Sequence, residues 1–403
     1  MLDKEIWLWL SLHFGAGSSI YRKLYSHFGS TKAIYDCDDA DVDAIDWLAS
    51  HHKRKLLDKN LDHAHEVMDW CDYYGVDILT PSDMEYPNPL RVIDNYPAVL
   101  YCRGHLPNFE KQLCISVVGT RKLTMEGQRN AYNLGYGLAK GGALVVSGMA
   151  RGIDSVAQKG ALYAGGSSIA VLGCGIDVVY PKENVALMDK LARVGAVITE
   201  YPPNTPPNGT NFPIRNRLIS GLSKATVVVE ADVNSGALIT ARRALEQGRD
   251  LFAFPGPVNS YASKGTNRLI SEGAKVATEA IDILEQYMDA YELDLSASKQ
   301  RPNLSYANKV ASNNFTQESF YSNLKSPVGK VTTVAREKQT TFDASILDER
   351  ERIVYDAMEF GVATSLDGIS KIDLEVSELA SILTMLEIKG AIECAPGGFY
   401  IKK

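Results

Sequence analysis

Residues 117–154 read VVGTRKLTMEGQRNAYNLGYGLAKGGALVVSGMARGID, and this stretch limits the possible fold more than any other. Two short apolar runs, 115–118 and 144–146, each lead into a glycine-bearing turn, and each turn is followed by a helical pattern. Strand, glycine turn and helix in repetition is the grammar of a parallel α/β sheet. Glycines at such turns let backbone N–H groups approach a ligand at a helix N-terminus, where negative charge is favoured. Arg121 and Arg151 lie in the same turns. The expectation is a phosphate-binding surface along the carboxyl edge of a sheet.

Charge distribution sharpens that expectation. The chain has 403 residues and a net charge of −7, yet residues 111–276 hold 19 Lys/Arg against 11 Asp/Glu. A basic middle between acidic flanks points to a polyanionic partner for the middle alone. All seven histidines lie at or before His105, so the middle lacks the commonest acid/base group and metal ligand. The six cysteines are scattered without a CxxC pair, as expected for reduced thiols in a cytoplasm. No apolar run approaches the ~20 residues of a membrane span, and the N-terminus lacks a basic region and cleavage site. No membrane association is expected.

In chain order, residues 1–75 read as a helical domain. Its turn Gly15-Ala16-Gly17-Ser18 either contacts a DNA backbone, in the manner of a helix-hairpin-helix, or serves only packing. Residues 76–110 form an extended lead-in with strands at 76–79 and 99–102. Strand–helix alternation is then sustained to about 287. Its strands fall at 115–118, 143–147, 168–172, 196–200, 225–230, 251–254 and 275–277. These are near-continuous apolar runs, as expected when helices cover both faces. The predicted fold class is α/β, a Rossmann-like, doubly wound, mostly parallel sheet spanning residues 76–290. Residues 291–344 are polar and without period, a flexible linker. Residues 345–403 read as helices at 349–360, 365–371 and 376–388 with a terminal hairpin, which matches a winged helix.

The candidate nucleic-acid-binding residues fall in four groups. Gly119, Thr120 and Arg121 form the first turn, and Ser147, Gly148, Arg151 and Gly152 the second; a third turn is Gly173-Cys174-Gly175. None completes GxGxxG, so no dinucleotide cofactor is indicated, and no Walker A is present. Asn211, Phe212, Arg215, Asn216 and Arg217 follow a proline-rich loop. Arginines flanking a helix N-terminus can span neighbouring phosphates, and Phe212 offers a base-stacking face. Ser235 and Gly236 begin a helix able to receive a further phosphate. Glu230 and Asp232 are paired carboxylates that suit Mg²⁺ or acid/base work, although a turn role for Asp232 is the stronger reading.

The motifs VVGTR (117–121), SGMARGID (147–154), AVLGCGIDVVYP (170–181), NFPIRNRLISGLS (211–223), SGALITARRALEQGR (235–249), FAFPG (252–256) and GTNRLISEGA (265–274) together resemble the DprA/Smf family of bacterial DNA-processing proteins. The resemblance covers most of residues 80–280. It implies a Rossmann-like homodimer that binds single-stranded DNA, protects incoming DNA in natural transformation and helps load the RecA recombinase. It also implies a basic pocket at 119–121, 147–152 and 212–217, and a dimer contact near Leu269 and Ile270. One departure is the loop Asn208-Gly209-Thr210, where members often carry a basic residue. A competing class is the nucleotide-processing hydrolases of related fold, with PGGxGTxxE and a catalytic glutamate. Residues 235–240 here hold no carboxylate at that place, so a non-enzymatic binding protein is expected, with no metal or cofactor. Residues 345–403 hold 6 basic and 11 acidic residues, and 376–388 has neither Lys nor Arg. Protein contact suits this domain better than DNA.

Overall fold

The computed structural model describes residues 3–302, 347–358, 363–365, 376–389, 391–395 and 399–402. The chain divides into two compact units, residues 1–328 and 329–403.

Among the described residues of the first unit, nine strands form one sheet: β1 Asp77–Leu79, β2 Leu100–Gly104, β3 Cys114–Val118, β4 Leu144–Ser147, β5 Ser168–Val171, β6 Ala196–Thr199, β7 Ala225–Val228, β8 Asp250–Ala253 and β9 Lys275–Val276. Their order is β1-β2-β6-β5-β4-β3-β7-β8-β9. β1 and β2 run antiparallel at one edge, and every pairing from β6 to β9 is parallel. The doubly wound, mostly parallel sheet is thus present, and the lead-in supplies its antiparallel edge. β3 to β7 are buried along their whole length, which is why they read as unbroken apolar runs. The helices Met125–Lys140 and Ile153–Tyr163 pack so closely that a Cβ at Gly135 would stand 2.0 Å from the Ala157 carbonyl oxygen. From β3 the chain winds one way through β4, β5 and β6, then returns beside β3 as β7 and winds the other way. The carboxyl ends of β3 and β7 therefore border the topological switch point, where open α/β sheets bind ligands.

Among the described residues six helices, from Asp3–Phe14 to Asp62–Tyr74, precede the sheet and share a core with it. Trp7, Leu8, Leu10 and Leu24 belong to the same apolar cluster as Tyr101, Leu172, Ile176, Met188 and Val197. The linker boundary at 290 needs correction. Tyr291, Leu293 and Leu295 pack on the core under β3 and β4, and the Asp294 N–H donates to the Gly141 carbonyl at 3.1 Å. The short helix Leu295–Ser298, capped by Asp294, lies there too. Three apolar side chains spaced two apart carry too little periodicity to be seen within a polar stretch. Residues 303–344 of that expected linker fall outside the described residues.

Among its described residues the second unit holds the helices Glu349–Asp356 and Val376–Ile388 and a three-stranded antiparallel sheet of β10 Ala363–Ser365, β11 Ile392–Ala395 and β12 Phe399–Lys402, in the order β10-β12-β11. Val354, Leu379, Leu383 and Leu386 are among its core residues. This is the winged-helix arrangement. Of the helix expected at 365–371, residue 365 ends β10 and the rest lies outside the described residues.

Candidate nucleic-acid interface

The switch point opens into a cleft of about 620 Å³ bordered by the loops after β3 and β7 and by the helix Asn211–Gly221. Pro213 lies in the first turn of that helix, where no intrahelical N–H is required, so the proline does not break it.

Phe212 stands at the centre of the cleft wall. Its ring packs against Gly173, where a Cβ would approach to 2.9 Å, and lies 5.5 Å from the Tyr180 ring at 35°. Two guanidinium groups lie over it, Arg121 at 5.0 Å and Arg215 at 5.7 Å from the ring centroid. Arg121 and Lys122 are exposed in the loop after β3. Arg215 is buried and forms part of the cleft floor, donating to the Gly148 carbonyl at 2.9 Å and to the Val171 carbonyl. Its Nε has no partner among the described residues. Gly148 supplies the room, since a Cβ there would stand 2.5 Å from Nη1 of Arg215. Burial lowers the Arg215 pKa, opposed by nearby Asp154. Burial pushes Asp154 up to about 6, opposed by Arg215 and by backbone N–H groups; that of Gly148 lies at 3.2 Å. One buried, fixed guanidinium and one exposed guanidinium therefore stand against the same ring.

Several expected ligand groups have other partners. Arg217 is buried and holds Glu200 through two bonds of 2.9 and 2.6 Å. Its expected place on a phosphate is corrected: the side chain points away from the cleft into an ion pair. The same carboxylate accepts the Gly17 N–H at 3.0 Å, and a Cβ on Gly17 would stand 2.5 Å from Cγ2 of Ile214. The N-terminal glycine turn thus packs against the site helix and braces it. Ser147 is buried, its hydroxyl donating to the Val117 carbonyl at 2.6 Å, so it ties β4 to β3 rather than meeting a ligand.

The glycine turns also offer fewer free donors than expected. The Thr120 N–H donates to the Glu230 carbonyl at 2.8 Å, and the Ile153 N–H to the Thr120 carbonyl at 3.2 Å. Gly119 and Gly152 permit this crossing of turns. At Gly152, with φ +85°, a Cβ would lie 2.2 Å from the Thr120 oxygen. Glu230 does not face a substrate: its carboxylate accepts the Thr124 N–H at 3.0 Å and the Thr124 hydroxyl. It occupies the positive end of the helix Met125–Lys140, where an anion is stabilised. Asp232 accepts the Ser235 N–H at 3.0 Å through its backbone carbonyl, a turn role. Arg151 is exposed and paired with Glu183.

Asn211, Asn216, Ser235 and Gly236 are placed at or beside the cleft. Asn211 braces the Gly173 carbonyl at 3.1 Å, and Asn216, Ser235 and Gly236 line the opening. The structure therefore gathers Thr120, Arg121, Phe212, Arg215, Asn216, Ser235 and Gly236, and separates Ser147 and Arg217 from them. Sequence reasoning missed Tyr180 and Asp154, although each falls in a motif quoted above. Leu269 and Ile270 are both half-buried on the helix Tyr261–Ser271, with Leu269 packed against the core.

Residues 77–288 match the family model described as DNA recombination-mediator protein A, and residues 338–398 match the DprA winged helix domain. Protein Smf of Escherichia coli (strain K12) is 38% identical over 287 residues, covering 71% of this chain and 75% of that protein. DNA processing protein DprA of Streptococcus pneumoniae (strain ATCC BAA-255 / R6) is 39% identical over 229 residues, covering 56% of this chain and 79% of that protein. The X-ray structure of DprA from Streptococcus pneumoniae superposes with a TM-score of 0.62 at 31% identity, covering 71% of this chain and 98% of that one. With a family model spanning more than half the chain, and a relative of this identity matched over more than two thirds of both lengths, the chain belongs to the DNA recombination-mediator protein A (DprA/Smf) family.

Proposed function

We propose that the chain binds single-stranded DNA in the switch-point cleft, protects incoming DNA in natural transformation and helps load the RecA recombinase, acting in the cytoplasm as a homodimer through the region of Leu269 and Ile270. The observation that carries the reading is the Arg121 guanidinium resting on the Phe212 ring at an open, positively charged cleft. A single strand needs charge for its backbone and a planar face for its bases, and this pair presents both. Arg121 and Lys122 meet the phosphates, Arg215 adds fixed charge from below, and a base stacks at the Arg121–Phe212 pair. Duplex DNA binds more weakly because paired bases offer no free face. A hydrolase reading finds no support in Glu230, whose carboxylate is engaged with Thr124. We infer a binding protein rather than an enzyme.

The test is a titration with single- and double-stranded oligonucleotides at two salt concentrations, beside an assay for base release from nucleotides. Arg121→Ala is expected to weaken binding to all sequences and to reduce the salt slope by about 0.7, the share of one phosphate on a single strand. Phe212→Ala is expected to cost ~1–3 kcal/mol with the slope nearly unchanged, because stacking releases no counterion. Folded variants of both that bind like the parent would overturn the site.

A further inference from the structure

We propose that the single strand continues from the cleft onto the N-terminal helices, where Trp47 takes a base and Lys23, with His27 beside it, takes the adjoining phosphates; this second contact rests on the cleft reading above. Trp7 and Trp9 are buried, whereas Trp47 is 43% exposed. Its ring lies under Lys23, the Nζ 5.6 Å from the centroid. The two border a depression of about 590 Å³ whose other walls are Arg22, Ser26 and His27. Residues 1–75 are acidic overall, yet the helix Ile20–Phe28 carries no carboxylate. Lys23 and His27, four apart, share one of its faces. Arg22 is held by Asp94 at 2.9 Å, while Lys23 has no ion-pair partner among the described residues. An exposed indole beside an unpaired cation is the same pairing of ring and charge as in the cleft.

The two sites are joined mechanically. The glycine turn that opens the helix Ile20–Phe28 abuts Ile214, between Pro213 and Arg215 of the cleft. From Ile20 to His27 the helix rises about 10 Å, the reach of about three stacked nucleotides. In this proposal a strand leaving Phe212 past Ile214 follows that helix to Trp47. The cleft alone accommodates a short oligonucleotide, and the second contact adds affinity only for longer ones.

The experiment compares oligothymidylates of about six and about sixteen nucleotides, spanning the usual range of single-strand sites, by fluorescence anisotropy on the full chain. Trp47→Ala is expected to weaken the long strand roughly tenfold and leave the short one unchanged, with Trp47→Phe restoring most of the loss. Lys23→Ala should reduce the salt slope by about 0.7 for the long strand alone. Arg121→Ala should weaken both lengths. The proposal is overturned if Trp47→Ala and Lys23→Ala leave the long strand unaffected while Arg121→Ala still weakens it. It is equally overturned if Trp47→Ala lowers both lengths alike. If Arg121→Ala changes neither length, the cleft reading itself fails, and the extension with it.

Discussion

Replacing Arg217 with Met separates the structural and DNA-contact roles of a residue that the sequence alone places on DNA. The guanidinium and the Glu200 carboxylate are 7% and 3% exposed and meet at 2.6 Å. At an effective dielectric of about 20 the gross attraction at that separation is on the order of 6 kcal/mol, most of it offset by desolvating both ions. Removing only the arginine strands the carboxylate against the Gly17 N–H, and breaking a buried pair in this way costs about 3–5 kcal/mol. For a unit of this size that corresponds to a fall in Tm on the order of 10 °C. Scanning calorimetry and urea titration read the loss directly. The double variant Glu200→Gln with Arg217→Met should recover part of it, since no charge is then stranded, and the cycle gives the coupling between the two. At a temperature where both proteins are folded, single-strand affinity and its salt slope should match the parent. An unchanged Tm, together with a salt slope lowered by about 0.7, would refute this reasoning and put Arg217 on a phosphate.

Removal of residues 345–403, whose charge is acidic, should leave single-strand affinity within about threefold, under ~1 kcal/mol; a tenfold loss in the same titration would make the winged helix part of the DNA site. Ile270→Glu should yield a folded monomer by light scattering with an unchanged circular-dichroism spectrum, and an unchanged dimer would remove this helix from the interface. Burial raises the Asp154 carboxyl from its ordinary range to about 6, so folding favours its protonated form. Its stabilising contribution is complete below about pH 4 and lost as pH rises through about 6, and Asp154→Asn should flatten that part of the denaturation profile.

Elements set by local pattern were legible in the sequence. The helix Val376–Ile388 begins and ends at its expected residues, because apolar periodicity defines it. The central strands followed from their uninterrupted apolar character. The switch-point cleft was also foreshadowed, since strand-end glycines and Arg121 share one turn. What could not be read was partnership across long separations. Glu200 joins Arg217 and, 183 residues away, Gly17. Glu230 reaches back 106 residues to cap Thr124. Charge counted along a sequence treats such groups as available, whereas folding has already committed them. Gly148 and Gly173 follow the same logic. They read as phosphate-cradling backbone, and the structure uses them as room for Arg215 and Phe212.

The apolar cluster shared by the N-terminal helices and the sheet bears on where this protein can be cut. Trp7, Leu8 and Leu24 cover Tyr101, Leu172, Ile176, Met188 and Val197, so a fragment beginning near residue 76 would present that face to water. At ~25 cal/mol per Å² of apolar surface, even a few such side chains amount to several kcal/mol, comparable with the whole stability of a domain. The helical segment and the sheet are therefore expected to melt as one cooperative unit. On that expectation, a boundary that looks modular in sequence lies, thermodynamically, in the middle of a single folding domain.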